Sequence, residues 1–465
     1  MSPIRPHHRL LYSAGSLGVA LSYQAFSAYI QFLYIDQLGV RASWIGLVWA
    51  LYGVWNAVND PLTGYWSDST RTRWGRRRPW MVGALLPLAI TFYLLWLPFG
   101  AVAWSEMAVL FYFLLIVLLF DFFWTIFVMN WTALFPEIAE GEKQRAGVSA
   151  LREVFSIFGV LVGVALPPLL AGADWSGRGS MAALLTAVTL ISLLLSLLGS
   201  KERPEFAAEP SPPFRESIRL TLRNRNFLVF LGANLMIQYI FLGMVAAIPF
   251  YAKYVLHIQG PTTFAGLTLD EELQNSLLLA AAFLAALPAM AVWYALARRY
   301  GAWRALRAAC LISAATALYF FFPTTFAQGL LGTTLFGLSL AGLLMLTNPL
   351  IADVTDEDEV LTGARREGMF FGINGLVIRF AFVIQGLLTA AVFTLTGYVT
   401  PSAGVPYPAQ PDAALFGMRL LTGGVPAIAL VVAFVMLGGY TLHGARAAAV
   451  RSQAAALQAK KRLGD

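Results

Sequence analysis

One cysteine, Cys310, occurs among the 465 residues. An internal disulfide is excluded, and no zinc cluster is implied. The four histidines (His7, His8, His257 and His443) lie near the ends of the chain or of apolar runs and form no ligand set. Charge is scarce too. Asp, Glu, Lys and Arg make up 12% of the residues, about half of what a soluble globular chain carries. The sequence has no phosphate-cradling glycine loop and no nucleophile–base pair, so an enzyme is not expected. A cleavable signal is also missing. The first apolar run, 10–34, is too long for a signal core and follows a basic head, Arg5 and Arg9.

What is abundant is apolar surface: 58% of residues are hydrophobic, with 13 Trp and 33 Phe. A helix needs about 20 apolar residues to cross the hydrocarbon of a bilayer. The pattern predicts twelve spans, near 10–34, 42–66, 79–99, 105–135, 146–171, 180–199, 226–256, 273–298, 303–323, 327–352, 366–397 and 415–443. The net charge of +7 does not point to nucleic acid, because the basic residues crowd short loops between spans. Arg71, Arg73, Arg76, Arg77 and Arg78 follow the second span. Arg298, Arg299 and Arg304 follow the eighth, and Arg365 and Arg366 the tenth. Arg446, Arg451, Lys460, Lys461 and Arg462 close the chain, whereas the opposite side has Arg41, Arg178, Lys253 and Arg419. Positive loops stay in the cytoplasm. Both termini are therefore expected there, which requires an even number of spans.

Residues 201–225 form the longest polar stretch. Pro204, Pro210, Pro212 and Pro213 give way to Phe214, Ile218, Leu220 and Leu222 interleaved with arginines. This reads as a linker followed by an amphipathic helix on the cytoplasmic membrane surface. It divides the chain into a six-helix bundle over 1–200 and a second over 226–445, with a cytoplasmic tail over 446–465. Residues 132–159 and 348–375 resemble each other. Each leaves a helix through an acidic turn and re-enters through Arg-Glu, Arg152-Glu153 in one and Arg366-Glu367 in the other. Parallel repeats with a binding site near the midplane are a transporter architecture.

Residues 56–80 read NAVNDPLTGYWSDSTRTRWGRRRPW. Gly64 and Asp68 followed by Arg76, Arg77 and Arg78 resemble the loop signature of the major facilitator superfamily. A glycine there permits close helix approach. An aspartate near the helix end pairs with loop arginines and latches the cytoplasmic face. The fuller string, with ALFPEI (133–138), DEDEVLTGARREGMFFG (356–372) and FGMRLL (416–421), resembles the glycoside–pentoside–hexuronide:cation symporter family. The resemblance implies an all-α membrane protein of the major facilitator fold, with twelve transmembrane helices in two six-helix bundles related by pseudo-two-fold symmetry. It implies cation-coupled transport of a sugar by alternating access. Vertebrate lysolipid symporters share this ancestry, so a lysolipid or amphiphile is the alternative substrate. A non-transporting scaffold or sensor would give no reason for charges inside spans.

Each such charge costs several kcal/mol and is a functional candidate. Asp60 lies in the second span beside Asn59 and Pro61, which frees a backbone carbonyl one turn earlier. The resemblance assigns Asp60 and Asn59 to cation-site positions, and Thr125 to a cation-ligand position. Asn56 and Val128 stand where relatives carry carboxylates. Asp121 shares a helix face with Thr125 and occupies a position usually small in relatives. It is either a displaced coupling carboxylate, a substrate contact or a structural pair. With two family carboxylates absent, a proton is expected as the coupling ion rather than sodium.

Arg152 matches an arginine of the family's sugar site. Arg379, deep in the eleventh span, falls where relatives carry lysine and is expected to meet Asp60 or Asp121. Ala20 replaces a sugar-binding aspartate, and Thr132 an aromatic residue that Trp131 adjoins. Tyr23, Gln24, Asn234, Gln238 and Asn374 are polar substrate candidates, and Gln385 is expected in a helix–helix hydrogen bond. Two arginines and few acids point to an acidic solute such as a hexuronide. Asp356, with Glu357, Asp358 and Glu359, is expected to face the cytoplasmic loop and pair with loop arginines such as Arg365 and Arg366. No cofactor and no metal site are expected. The expected partners are a small solute and the bilayer, for a monomer in a bacterial inner membrane.

Overall fold

Backbone inside hydrocarbon has no water to bond, so an apolar run long enough to span must close its hydrogen bonds within a helix. The computed structural model describes residues 6–98, 104–138, 141–200, 221–363, 367–402 and 405–463. Its first half holds α1 (Pro6–Phe32), α2 (Ala42–Ser69), α3 (Arg78–Trp96), α4 (Glu106–Ala133), α5 (Gly141–Ala171) and α6 (Arg178–Gly199). Its second half holds α7 (Arg225–Phe250), α8 (Glu271–Tyr300), α9 (Ala302–Leu318), α10 (Phe326–Thr362), α11 (Glu367–Thr396) and α12 (Asp412–Leu437). A further helix, α13 (Gly444–Leu463), follows. The two strands among the described residues, Thr262–Phe264 and Leu267–Leu269, pair as an antiparallel hairpin before α8.

Among the described residues, ten helices, α3 to α12, are long and apolar enough to cross a membrane. α1 and α2 are comparably long, at 27 and 28 residues, but more polar. They carry Tyr23, Gln24, Asn56, Asn59 and Asp60. α1 and α7 both end in a π turn, Leu33–Gln37 and Tyr251–Val255. The same irregularity thus recurs at the same place in the two halves.

Two boundaries differ from the sequence expectation. The tenth span, expected over 327–352, continues as one helix to Thr362, so Asp356 to Glu359 lie on helix rather than in a loop. The tail, expected only as a cytoplasmic extension, is the helix α13. The expected linker and surface helix, 201–225, lie outside the described residues up to 220.

The chain divides into two compact units. One holds Met1–Glu209, Ile258–Ala280 and Gly386–Ala414, and the other Pro210–His257, Ala281–Gln385 and Leu415–Asp465. Within the first, α1 packs against α5 and α6 through small residues. A Cβ at Gly163 would stand 2.8 Å from the Leu21 carbonyl oxygen, and one at Gly18 would stand 2.9 Å from Ser192 Oγ. Lipid is as apolar as leucine, so such close packing rather than water exclusion joins membrane helices. In the second unit, Gly337 lies directly on the Ala282 backbone. Gly64 differs: a Cβ there would meet Met129 Cε at an ordinary 3.7 Å. The close approach expected at Gly64 is therefore not made in this structure. Gly337→Leu is expected to cost about 1–3 kcal/mol by overpacking. Gly64→Ala should be neutral or stabilising by up to about 1 kcal/mol through helix propensity. Thermal midpoints in detergent would separate the two.

Candidate functional site: a buried carboxylate network on α2 and α4

α2 places Tyr52, Asn56, Asn59 and Thr63 at intervals of four, three and four residues. This spacing gives them one helix face, and all four are buried. The face meets α4, where Asp121 is 3% exposed. Tyr52 Oη donates to Asp121 Oδ1 at 2.9 Å, and Asn59 Nδ2 donates to Oδ2 at 3.1 Å. Thr63 Oγ1 donates to Asn59 Oδ1 at 3.2 Å, which fixes the Asn59 amide with its NH2 toward Asp121. One turn along α4, the buried Thr125 donates from Oγ1 to Asp60 Oδ1 at 3.4 Å. Asn56 Nδ2 bonds the Tyr52 carbonyl of its own helix at 2.8 Å. Thus α2 and α4 bring together all five expected coupling residues, Asp60, Asn59, Asn56, Thr125 and Asp121. Tyr52 and Thr63 went unnoticed in the sequence. Their spacing from Asn59, seven residues before and four after, was the available signal.

Arg152 on α5 lies over the Trp131 ring at 4.3 Å, with Phe135 at 5.4 Å and Tyr12 at 5.9 Å. Tyr12 and Trp131 lock each other: Tyr12 Oη donates to the Trp131 carbonyl at 2.9 Å, and Trp131 Nε1 to the Tyr12 carbonyl at 3.3 Å. Among the described residues Arg152 makes no ion pair with a carboxylate. A guanidinium held by aromatic faces keeps its N–H edge for an anion. On α1, Tyr23 packs on Trp124 with ring centroids 5.5 Å apart. Gln24 is buried, and its Nε2 finds no acceptor among the described residues.

In the second unit, Asn234 on α7 donates from Nδ2 to Asn374 Oδ1 on α11 at 2.7 Å. The Asn234 Oδ1 is buried without a donor among the described residues. Gln238 is half-buried one turn further along α7, and Arg379 is half-buried on α11.

The family described as MFS/sugar transport protein matches residues 11–444. The chain belongs to that family. An uncharacterized symporter of Synechocystis, sll1374, is 26% identical over 93% of this chain and 92% of its own. A glucuronide carrier protein homolog of Escherichia coli is 24% identical over 93% of this chain and 91% of its own. A bacterial homolog of the human lysosomal transporter Spinster, solved inward-facing and unoccupied, superposes with a TM-score of 0.65 at 14% identity. That match covers 94% of this chain and 98% of that one. The protein is a multi-pass membrane transporter of the major facilitator fold, of the secondary type, and not an enzyme.

Of the family's loop signature, Arg77 Nη1 donates to the Ala133 carbonyl at the end of α4. Arg76 precedes α3 and Arg78 opens it. The Asp68 side chain, Arg365 and Arg366 lie outside the described residues. The acidic run is corrected in one respect. Glu357 accepts from Arg446 Nη2 of α13 at 3.0 Å and from Asn226 Nδ2 of α7 at 2.8 Å. Asp353, one turn earlier, takes a two-point bond from Arg451 of α13, at 2.6 and 2.7 Å. The hydrogen bonds and charge of Asp353 hold the Arg451 guanidinium even further above the ordinary arginine range, against the opposing effect of burial. Because α10 continues past the expected loop, its carboxylates lie on a helix flank that the arginines of α13 reach.

Asp121→Ala would leave the Tyr52 and Asn59 donors buried without an acceptor, and should cost about 2 kcal/mol. Arg451→Ala, losing a half-exposed two-point bond, should cost about 1 kcal/mol. Thermal unfolding of the purified variants in detergent measures both.

Proposed function

We propose that this protein couples the downhill entry of protons to uptake of an acidic sugar or glycoside, such as a hexuronide. It acts as a monomer in a bacterial inner membrane with both termini in the cytoplasm. The observation that carries the reading is the Asp121 carboxylate, buried in α4 under two hydrogen donors and one turn from the Thr125–Asp60 pair.

The choice of proton over sodium follows from which atoms face inward. A sodium site presents lone pairs, from carboxylates, carbonyls and hydroxyls. Here Asn59 turns its NH2 rather than its oxygen to Asp121, and that oxygen accepts from Thr63. Tyr52 likewise offers a hydrogen rather than a lone pair. Such donors suit a carboxylate that holds charge without a metal ion. Asp60, half-buried and touched by the Thr125 hydroxyl, is the proton carrier, since one carboxylate suffices to carry a proton across a desolvated segment. Asp121 is the fixed charge that holds α2 and α4 in register beside it.

The acidic substrate follows from Arg152. Its ring-backed guanidinium lacks a carboxylate partner among the described residues, and a planar fork matches a sugar carboxylate. The name of the glucuronide carrier homolog is consistent with that chemistry.

In proteoliposomes, an inward proton gradient should accumulate a glucuronide, and Asp60→Asn should reduce accumulation to the level of empty vesicles. Accumulation driven by sodium at constant pH, or sodium raising the thermal midpoint without substrate, would overturn the proton. Uptake of neutral galactosides but not of glucuronides would overturn the acidic substrate.

A further inference from the structure

The loop 397–411 joins α11 to α12 at the end of α11 away from the arginine-rich loops. Gly397, at a φ of 71°, turns the chain out of the helix. Tyr398 folds back so that its N–H bonds the Phe393 carbonyl at 2.9 Å and its ring stacks on Phe393 at 4.5 Å. The Gln410 side chain closes the loop on itself, donating to the Val399 carbonyl at 2.7 Å and accepting from the Val399 N–H at 3.0 Å. Its described residues, 397–402 and 405–411, are therefore held in part by the loop's own bonds.

Two phenols reach out from it. Tyr407 Oη donates to Glu271 Oε2 at the start of α8, at 3.0 Å. Tyr398 Oη donates to Asp36 Oδ1 at 2.6 Å. Asp36 is fully buried in the π turn that ends α1, and its other oxygen accepts from Gln37 Nε2 at 2.8 Å. All of these residues belong to the first compact unit.

The two phenols differ in what they join. Tyr407 and Glu271 both come from the second half of the chain. Tyr398 comes from the second half and Asp36 from the first. The same crossing between halves continues below it. Gln31 Nε2 of α1 donates to the Gly386 carbonyl of α11 at 3.4 Å, and the Trp49 ring of α2 rests directly on Gly386. A Cβ at Gly46 would come within 2.8 Å of Ala390 Cβ. Small residues let these helices touch, but dispersion contacts are short-ranged and lack direction. The Tyr398–Asp36 bond, at 2.6 Å, is shorter than the Gln31–Gly386 bond at 3.4 Å, and it joins groups that water solvates well once they part.

A transporter that works by alternating access must separate its two repeats at one face and then at the other. We propose that Tyr398 and Asp36 form the catch of a gate on the face opposite the arginine-rich loops: the bond holds this face shut, and its release admits solute from that side. This rests on the transporter assignment and not on the ion or sugar proposed above. Losing a hydrogen bond to a buried carboxylate should shift the population of the open form by about tenfold.

Gln31 is buried beneath the catch, so it reports on opening. With Gln31→Cys as the sole cysteine, in a Cys310→Ala background, labelling by a membrane-impermeant maleimide should proceed about tenfold faster in Tyr398→Phe. Asp36→Ala should have a similar effect, and the double variant should add nothing further, as for two ends of one bond. Tyr407→Phe, which cuts a tie within one half, should leave the rate unchanged. An unchanged rate in Tyr398→Phe, or an equal rise in Tyr407→Phe, would overturn the proposal. Should Tyr398→Phe not be recoverable from detergent, Asp36→Ala carries the same comparison.

Discussion

A carboxylate in the middle of an apolar helix must be given donors, or its burial costs more than a domain's stability can bear. Asp121 sets that demand here, and much of α2 is composed to meet it. Tyr52 and Asn59 supply the hydrogens, and Thr63 holds Asn59 the right way round. The polarity that this brings into α2 sets it apart from the ten more apolar helices. The residues that hold the Asp121 side chain beside Asp60 also set the register of α2 against α4.

Elsewhere the helices join by close approach. Glycines let α1 settle on α5 and let Gly337 rest on Ala282, and serines such as Ser192 fill the remaining gaps with hydrogen bonds to backbone. The aromatic cage of Arg152 is an intermediate case. It packs a cation by ring faces alone and leaves its hydrogen-bonding edge available.

Much of this could be read from the sequence, for identifiable reasons. Helix class follows from apolar run length, and the candidate coupling residues stood out by the cost of charge inside those runs. The resemblance carried by residues 56–80 added the family. What escaped was set by partners distant in the chain. The end of α10 at Thr362 could not be read, because Asp353 and Glu357 are helical where an acidic run looks like a loop. The arginine partner of Glu357 lies 89 residues later and that of Asp353 98 residues later, on a helix that itself read as a polar tail. Tyr52 escaped because a tyrosine in an apolar span ordinarily reads as packing. Only the arrival of Asp121 from α4 makes its hydroxyl matter.

The continuous α10 has a mechanical meaning. Its 37 residues make a rod about 55 Å long, against about 30 Å of hydrocarbon. A tilt of about ten degrees around its middle would carry its acidic end through about 5 Å. The arginines of α13 grip that end. A small rotation of α10 deep in the bilayer would thereby displace the carboxy-terminal helix by about 5 Å.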